Sequence, residues 1–125
     1  MILWCDGGHD AAENMRRDGA LLVAAEAGAT PVLRLFRFEP PGITLGRAQD
    51  PARELDLERC RAVGGGWAVR PTGGRAIFHD EEWTYALAAR LDDPLWGGSL
   101  EAAYGATSRL LAAAHRARYG LDGQR

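Results

Sequence analysis

The stretch Arg70-Pro71-Thr72-Gly73-Gly74-Arg75-Ala76-Ile77-Phe78-His79-Asp80, with Glu81-Glu82-Trp83-Thr84-Tyr85-Ala86-Leu87 behind it, reads as strand, glycine turn, strand. Two residues without Cβ let the backbone take φ > 0 and let a ligand come close to its N–H groups. Bracketed by Arg70 and Arg75, such a turn is suited to cradling an anion or an acyl carbonyl. A glycine pair between strands is most often only a tight turn. Two flanking arginines and a histidine at the exit of the following strand point instead to a binding site.

Working outward, Trp67-Ala68-Val69 forms the strand entering the turn, handed over by Gly64-Gly65-Gly66 from a short helix over residues 56–63. In that helix Leu57, Cys60 and Val63 share a face. Upstream, residues 32–38 and 43–46 are rich in β-branched and aromatic side chains, and Pro40-Pro41-Gly42 between them signals a hairpin. The first helix starts at Asp10, an N-cap with Glu13 reaching back as a capping box, and ends at Gly28. Met15, Leu22 and Ala25 lie on its apolar side. Gly19 within it costs about 1 kcal/mol relative to alanine, which suggests close packing there. Residues 2–5 form a short opening strand. Downstream, Trp83, Tyr85 and Leu87 alternate with smaller residues in a strand over 83–89 that Asp92-Asp93-Pro94 breaks. From Ser99, Leu100, Ala103, Tyr104, Thr107, Leu110, Leu111 and Ala114 trace the stripe of an amphipathic helix ending at Gly120.

With 125 residues, the chain fits one small domain. A net charge of −2, with acidic and basic residues interspersed, excludes the positive stripe that nucleic-acid binding requires. All 15 basic residues are arginine, so no lysine ammonium is available as a nucleophile or Schiff-base former. The opening Met1-Ile2-Leu3-Trp4-Cys5 is too short for a signal-peptide core, and nothing approaches a membrane span, so no membrane partner is expected. Cys5 and Cys60 form neither a disulfide framework nor a C-x-x-C pair, and a reducing cytoplasm is the expected location.

The wording R-P-T-G-G-R-A-I-F-H-D, with W-T-Y just behind it, resembles the acyl-binding loop of the lipoate-protein ligase and octanoyltransferase family, and most of all its cysteine-dependent octanoyltransferases. Three further blocks follow in family order. D-A-A-E-N-M-R-R-D-G-A-L-L from Asp10 is similar to the first helix, with Asn14-Met15, Asp18 and Leu21-Leu22 in place. Leu33-Arg34-Leu35-Phe36-Arg37-Phe38-Glu39-Pro40-Pro41 and Ile43-Thr44-Leu45-Gly46-Arg47-Ala48-Gln49 are similar to paired strands ending in G-R-x-Q. Val69 stands where many members carry the first arginine of a pair, and Arg75 where lipoate ligases usually carry a third glycine.

The resemblance implies an α/β (α+β) fold like the biotin and lipoate ligase catalytic domain, a mostly antiparallel mixed sheet with packed helices. It implies that Arg70 and Thr72 contact the carboxyl or phosphate end of a ligand, that Gly73, Gly74 and the N–H groups of Arg75, Ala76, Ile77 and Phe78 lie along its head, and that His79 belongs to the same substrate-binding set. Arg47 is a further candidate. The family's catalytic cysteine and its lysine, in a G-R-K-x-x-G-S-A-like segment, come later, so residues 1–125 are expected to be the N-terminal part of one catalytic domain. The sheet is then expected to lack later strands, with the approach to the next at Leu121-Asp122, and no catalytic residue is assigned in this chain. The implied reaction is transfer of an octanoyl group from acyl carrier protein to a lysine of a lipoyl domain through a cysteine thioester, without a cofactor. The rivals are an ATP-dependent lipoate-protein ligase forming lipoyl-AMP with Mg²⁺, and a non-catalytic acyl-binding subunit that works with a complementary C-terminal chain.

Other chemistry is weaker. His79-Asp80-Glu81-Glu82 alternates in direction, which argues against a metal site and leaves His79 as a hydrogen-bond anchor for the loop. Cys60 and Cys5 read as structural thiols, and His9 and His115 as surface residues.

Overall fold

A computed structural model describes residues 1–121. The chain divides into two compact units, Met1–Ala88 and Ala89–Arg125. Asp122, and with it the expected approach to a further strand, lies outside the described residues.

The first unit contains β1 (Ile2–His9), α1 (Ala11–Glu26), β2 (Val32–Phe38), β3 (Gly42–Leu45), α2 (Pro51–Glu54), α3 (Leu57–Ala62), β4 (Gly66–Val69), β5 (Ile77–His79) and β6 (Thr84–Ala88). The strands make two three-stranded mixed sheets, ordered β1-β2-β6 and β4-β3-β5. β2 pairs parallel to β1 and antiparallel to β6, and β3 pairs parallel to β4 and antiparallel to β5. The hairpin signal at Pro40-Pro41-Gly42 therefore does not produce a hairpin. A strand has two edges, and both edges of β2 and of β3 are taken by other partners, so the turn passes the chain from one sheet to the other.

One helix serves both sheets. Ala11 of α1 packs with Phe36 and Phe38 of β2 into the core, and Met15, Ala68 of β4 and Ala86 of β6 close around them. Tyr85 on β6, like Trp83 just before it, is exposed, while Ala86 touches the core. The register explains this, because Ala86 lies opposite Arg34, and Thr84 opposite Phe36. Arg34 and Phe36 already fill that face, leaving room for small neighbours. Gly19 of α1 has open space where a Cβ would stand, so it is tolerated rather than required by packing. The Asp10 cap forms, accepting the Glu13 N–H at 2.8 Å, but the Glu13 carboxylate turns to Arg16 and Arg17 instead of closing a capping box.

Arg34 is fully buried, and what satisfies it defines one end of the unit. Its guanidinium donates to Asp6 (2.8 Å), Asp18 (2.7 Å), the Asn14 carbonyl (3.1 Å) and the Asn14 side chain (2.6 Å). It also lies 3.9 Å over the Phe36 ring. Asp6 reaches it because the β1 register slips between Cys5 and Gly7, with Gly7 at φ +79°, which inserts Asp6 as an extra residue. His9 bonds the Asp6 carbonyl at 3.0 Å and is half-buried rather than a free surface group. Cys5 is exposed and Cys60 only half-buried, and α3 buries none of its residues, so neither thiol is a core residue.

The second unit is simpler. Asp93 accepts the Leu95 and Trp96 N–H groups at 2.9 Å each, turning the chain so that Trp96 is buried. α4 (Leu100–Tyr119) starts at a Ser99 cap and stops at Gly120 in the left-handed conformation, φ +66°. Of the expected stripe Thr107 is buried, while Leu100 and Tyr104 are exposed. No helix among the described residues is long and apolar enough to cross a membrane.

Removing the Arg34 guanidinium strands two carboxylates in the interior. Arg34→Met is expected to lower unfolding free energy by about 3–5 kcal/mol, read by urea denaturation. The acid limb has a separate cause. Hydrogen bonds from Arg16 and then Arg17 hold Glu13 at about 2. Burial pushes Asp6 up, but Arg34 and Arg17 outweigh it and leave its pKa lowered. Asp18 goes the other way, raised by burial against the pull of Arg34. A lowered carboxylate supports the fold above its unfolded pKa and loses that support as pH falls through its folded value. Glu13→Gln should therefore flatten the fall in stability between the ordinary glutamate value of 4.5 and about 2, measured as urea midpoint against pH. Asp18→Asn should not flatten it.

Candidate functional site

β4 and β5 flank β3 on opposite sides, so residues 70–76 cannot form a hairpin turn and must cross the end of β3. The crossing is tight. A Cβ on Gly46, the residue after β3, would stand 2.0 Å from the Gly74 carbonyl oxygen and 2.8 Å from its carbon. Backbone hydrogen bonds stitch the layers: the Arg70 N–H donates to the Leu45 carbonyl and the Arg47 N–H to the Thr72 carbonyl, both at 2.9 Å. Gln49 completes the lower layer, its side chain accepting the Gly46 N–H at 2.9 Å. The G-R-x-Q segment is thus the floor on which the glycine loop rests.

Arg70 braces the loop from within. Its Nη2 donates to the Gly73 carbonyl (2.9 Å) and the Arg75 carbonyl (2.8 Å), and its Nη1 to the Thr44 carbonyl (3.2 Å) and hydroxyl (3.3 Å). In a planar trans peptide the C=O and the following N–H point in opposite directions. Drawing the carbonyls of Gly73 and Arg75 onto Arg70 therefore aims the Gly74 and Ala76 N–H groups away from it. Neither of these two donates a hydrogen bond to any described residue. Gly74 sits at φ +101°, a conformation that L side chains rarely adopt. Two outward donors in a bent backbone can donate to an anion or a carbonyl oxygen.

His79 is buried and fixed on three sides. Its ring stacks on Phe38 with centroids 3.9 Å apart and planes 9° apart. Its Nε2 meets the Thr44 hydroxyl at 2.8 Å, and its Nδ1 meets the Glu82 carboxylate. This is the anchoring role expected of it, with partners that sequence spacing did not give. Of the remaining expected site residues, Thr72, Gly73, Gly74, Arg75, Ala76, Ile77 and Phe78 are all exposed along the loop and β5. Arg47 and Arg75 are exposed too, and their guanidinium groups have no partner among the described residues. Arg75 and Gly74 form one wall of a cleft of about 440 Å³ that Ala48, Gln49, Asp50 and Arg53 complete.

Sequence reading missed Thr44, Gly46, Gln49 and Glu82. Thr44 had a signal, a hydroxyl inside the apolar run Ile43-Thr44-Leu45, which when buried needs a partner.

Residues 10–125 match the family described as the lipoyl protein ligase A/B catalytic domain. The chain belongs to that family. It is 41% identical over 111 residues to an octanoyltransferase LipM of Moorella thermoacetica, a match covering 88% of this chain and 41% of the relative. An octanoyltransferase LipM of Kyrpidia tusciae is 38% identical over 117 residues, 93% of this chain and 42% of its own length. The chain thus spans about two-fifths of the length of these relatives. Among solved structures, a lipoate-protein ligase A bound with ATP superposes with a TM-score of 0.77 at 22% identity, over 97% of this chain and 47% of that one, which establishes the shared fold.

The crossing makes a sharp prediction about glycines. Gly46→Ala should destabilise the unit by about 1–3 kcal/mol, because backbone and not a flexible side chain must move. Gly74→Val combines a forbidden φ with a Cβ 2.8 Å from Arg70 Nη2, and should disrupt the loop as severely. Gly73→Ala has open space and no positive φ, and should stay within about 0.5 kcal/mol of the parent. Thermal and urea melts of the three variants read this directly.

Proposed function

We propose that this chain is the acyl-binding part of an octanoyltransferase acting in protein lipoylation, within a single catalytic domain of which it forms the N-terminal part. The observation that carries the reading is the braced loop, which presents the Gly74 and Ala76 N–H groups beside an apolar strand. That pair suits the carbonyl or carboxylate head of an octanoyl or lipoyl group, and relatives named as octanoyltransferases match 88% and 93% of this chain. Thr72 and Gly73 at the turn, with Ile77 and Phe78 on β5, extend the contact along the ligand. Arg47 and Arg75 supply free positive charge at the rim.

The transfer itself, from acyl carrier protein to a lysine of a lipoyl domain, is proposed for a protein that includes the rest of the family's catalytic domain, in one chain or two. Cys5 on β1 and Cys60 on α3 lie on elements other than the loop. A bi-partite lipoate protein ligase of Thermoplasma acidophilum shares the fold, with a TM-score of 0.65 at 20% identity over 99% of this chain and 47% of that one. That precedent supports a complementary C-terminal chain as a partner.

An ATP-dependent ligase is the second reading, favoured by the unpaired guanidinium groups of Arg47 and Arg75, which would also suit a nucleotide phosphate. No group of three or more His, Cys, Asp or Glu side chains among the described residues is placed to hold a metal.

The test is calorimetric titration with octanoate, lipoate and an acyl-adenylate, followed by mass spectrometry of a lipoyl-domain acceptor in the presence of the complementary segment. Arg70→Ala is expected to weaken acyl binding at least tenfold, because the loop loses its brace. Octanoyl transfer without AMP release supports the transferase. AMP release in step with acceptor modification would replace it with the ligase, and unchanged affinity in Arg70→Ala would remove the loop as the site.

A further inference from the structure

We propose that Thr44 and Glu82 are positioning residues for the acyl loop, acting through His79 and Arg70 along a one-way chain of proton donors. This rests on the acyl-binding reading but makes a claim of its own, about which atoms carry the protons.

The direction of the chain follows from what each group can do. Arg70 Nη1 can only donate, so the Thr44 hydroxyl accepts from it at 3.3 Å. The Thr44 O–H is then free to donate, and His79 Nε2 stands 2.8 Å away. A neutral imidazole that accepts at Nε2 holds its proton on Nδ1. Nδ1 faces the Glu82 carboxylate, which can only accept. Arginine, threonine, histidine and glutamate therefore line up with every donor matched to an acceptor. The far end of the chain is the Arg70 Nη2 group, which holds the Gly73 and Arg75 carbonyls and so aims the Gly74 and Ala76 N–H groups.

Burial makes the chain exacting. Thr44 and His79 are both buried, so a mismatched hydrogen at either would have no water to turn to. Glu82 is the accessible end, its side chain 44% exposed, and the Thr84 hydroxyl donates to the same carboxylate oxygen at 3.2 Å. None of the four groups needs to touch the acyl ligand for Thr44 and Glu82 to affect how tightly it is held.

Glu82→Lys is the informative variant. An ammonium can only donate, so paired with Nδ1 it moves the ring proton to Nε2. Nε2–H and Arg70 Nη1 then both point donors at the Thr44 hydroxyl, whose own hydrogen loses its acceptor. Thr44→Val removes the link altogether, and Thr44→Ser keeps it.

The experiment is long-range ¹H–¹⁵N NMR of the His79 ring at pH 8.5, with backbone amide spectra and calorimetric titration of octanoate for the parent and the three variants. The parent is expected to show the Nδ1–H tautomer. Glu82→Lys should show Nε2–H, and both Glu82→Lys and Thr44→Val should shift the Gly74 and Ala76 amide resonances and weaken octanoate by about three- to tenfold. Thr44→Ser should match the parent in all three readouts. An Nε2–H tautomer in the parent, or Gly74 and Ala76 amides unmoved in Thr44→Val and Glu82→Lys, would overturn the relay. Because the ring and amide signals need no ligand, a parent that binds no octanoate yet shows the expected tautomer and amide shifts would reject the acyl reading and leave the relay standing.

Discussion

Placing β4 and β5 on either side of β3 forces the connection between them across the end of that strand, and nearly everything about the site answers to this crossing. Two backbones must pass closer than a methyl group permits, so Gly46 and Gly74 meet where they do. A connection held up only by turn propensity would collapse onto the strand or splay into solvent. Here a half-buried guanidinium stands beneath it, with Arg70 gathering carbonyls from the loop above and from Thr44 below. Donors that would otherwise pair within the loop are left facing outward. The binding potential is thus a by-product of how the crossing is braced.

The first unit also has a second arginine that the fold consumes entirely. Arg34 sits among Asp6, Asn14 and Asp18 and covers the face of Phe36. From there Phe36 meets Phe38 with centroids 5.7 Å apart, and Phe38 stacks on His79. An ionic cluster on α1 and the hydrogen-bonded chain under the loop are therefore joined by packed rings of β2. In so small a unit this economy is needed, because few side chains are fully buried and each must serve more than one contact. Arg34 and Arg70 satisfy backbone and carboxylates as structural parts, while Arg47 and Arg75 keep unpaired charge for a ligand. In a chain whose basic residues are all arginine, context alone separates the two roles.

Family membership and geometry support one another at different levels. The match over residues 10–125 and the octanoyltransferase relatives define what kind of domain this is, and the braced loop shows what this stretch contributes physically. The chain represents about two-fifths of a relative's length, so acyl recognition by the loop and the transfer chemistry of a larger assembly stand as the proposal made above.

The sequence by itself determined the elements and the glycine loop that carries the candidate site. Glycine spacing, the Asp10 and Ser99 caps and the alternation of strands placed most helices and strands within a few residues, because caps and periodicity are local properties written in neighbouring side chains. The loop was legible for the same reason: only glycine suits a left-handed φ, and its flanking arginines are adjacent in sequence. Pairing was not legible. The Pro40-Pro41-Gly42 turn looks like a hairpin because nothing local says that both edges of β2 are claimed, by β1 thirty residues before it and β6 fifty after. Nor could the sequence tell that Arg70 braces while Arg75 stays free, that Ala86 rather than Tyr85 faces the core, or that Thr44 and Glu82 meet at His79. Those outcomes depend on which residues fill the space on the far side of a sheet, and only the tertiary structure brings such distant residues together.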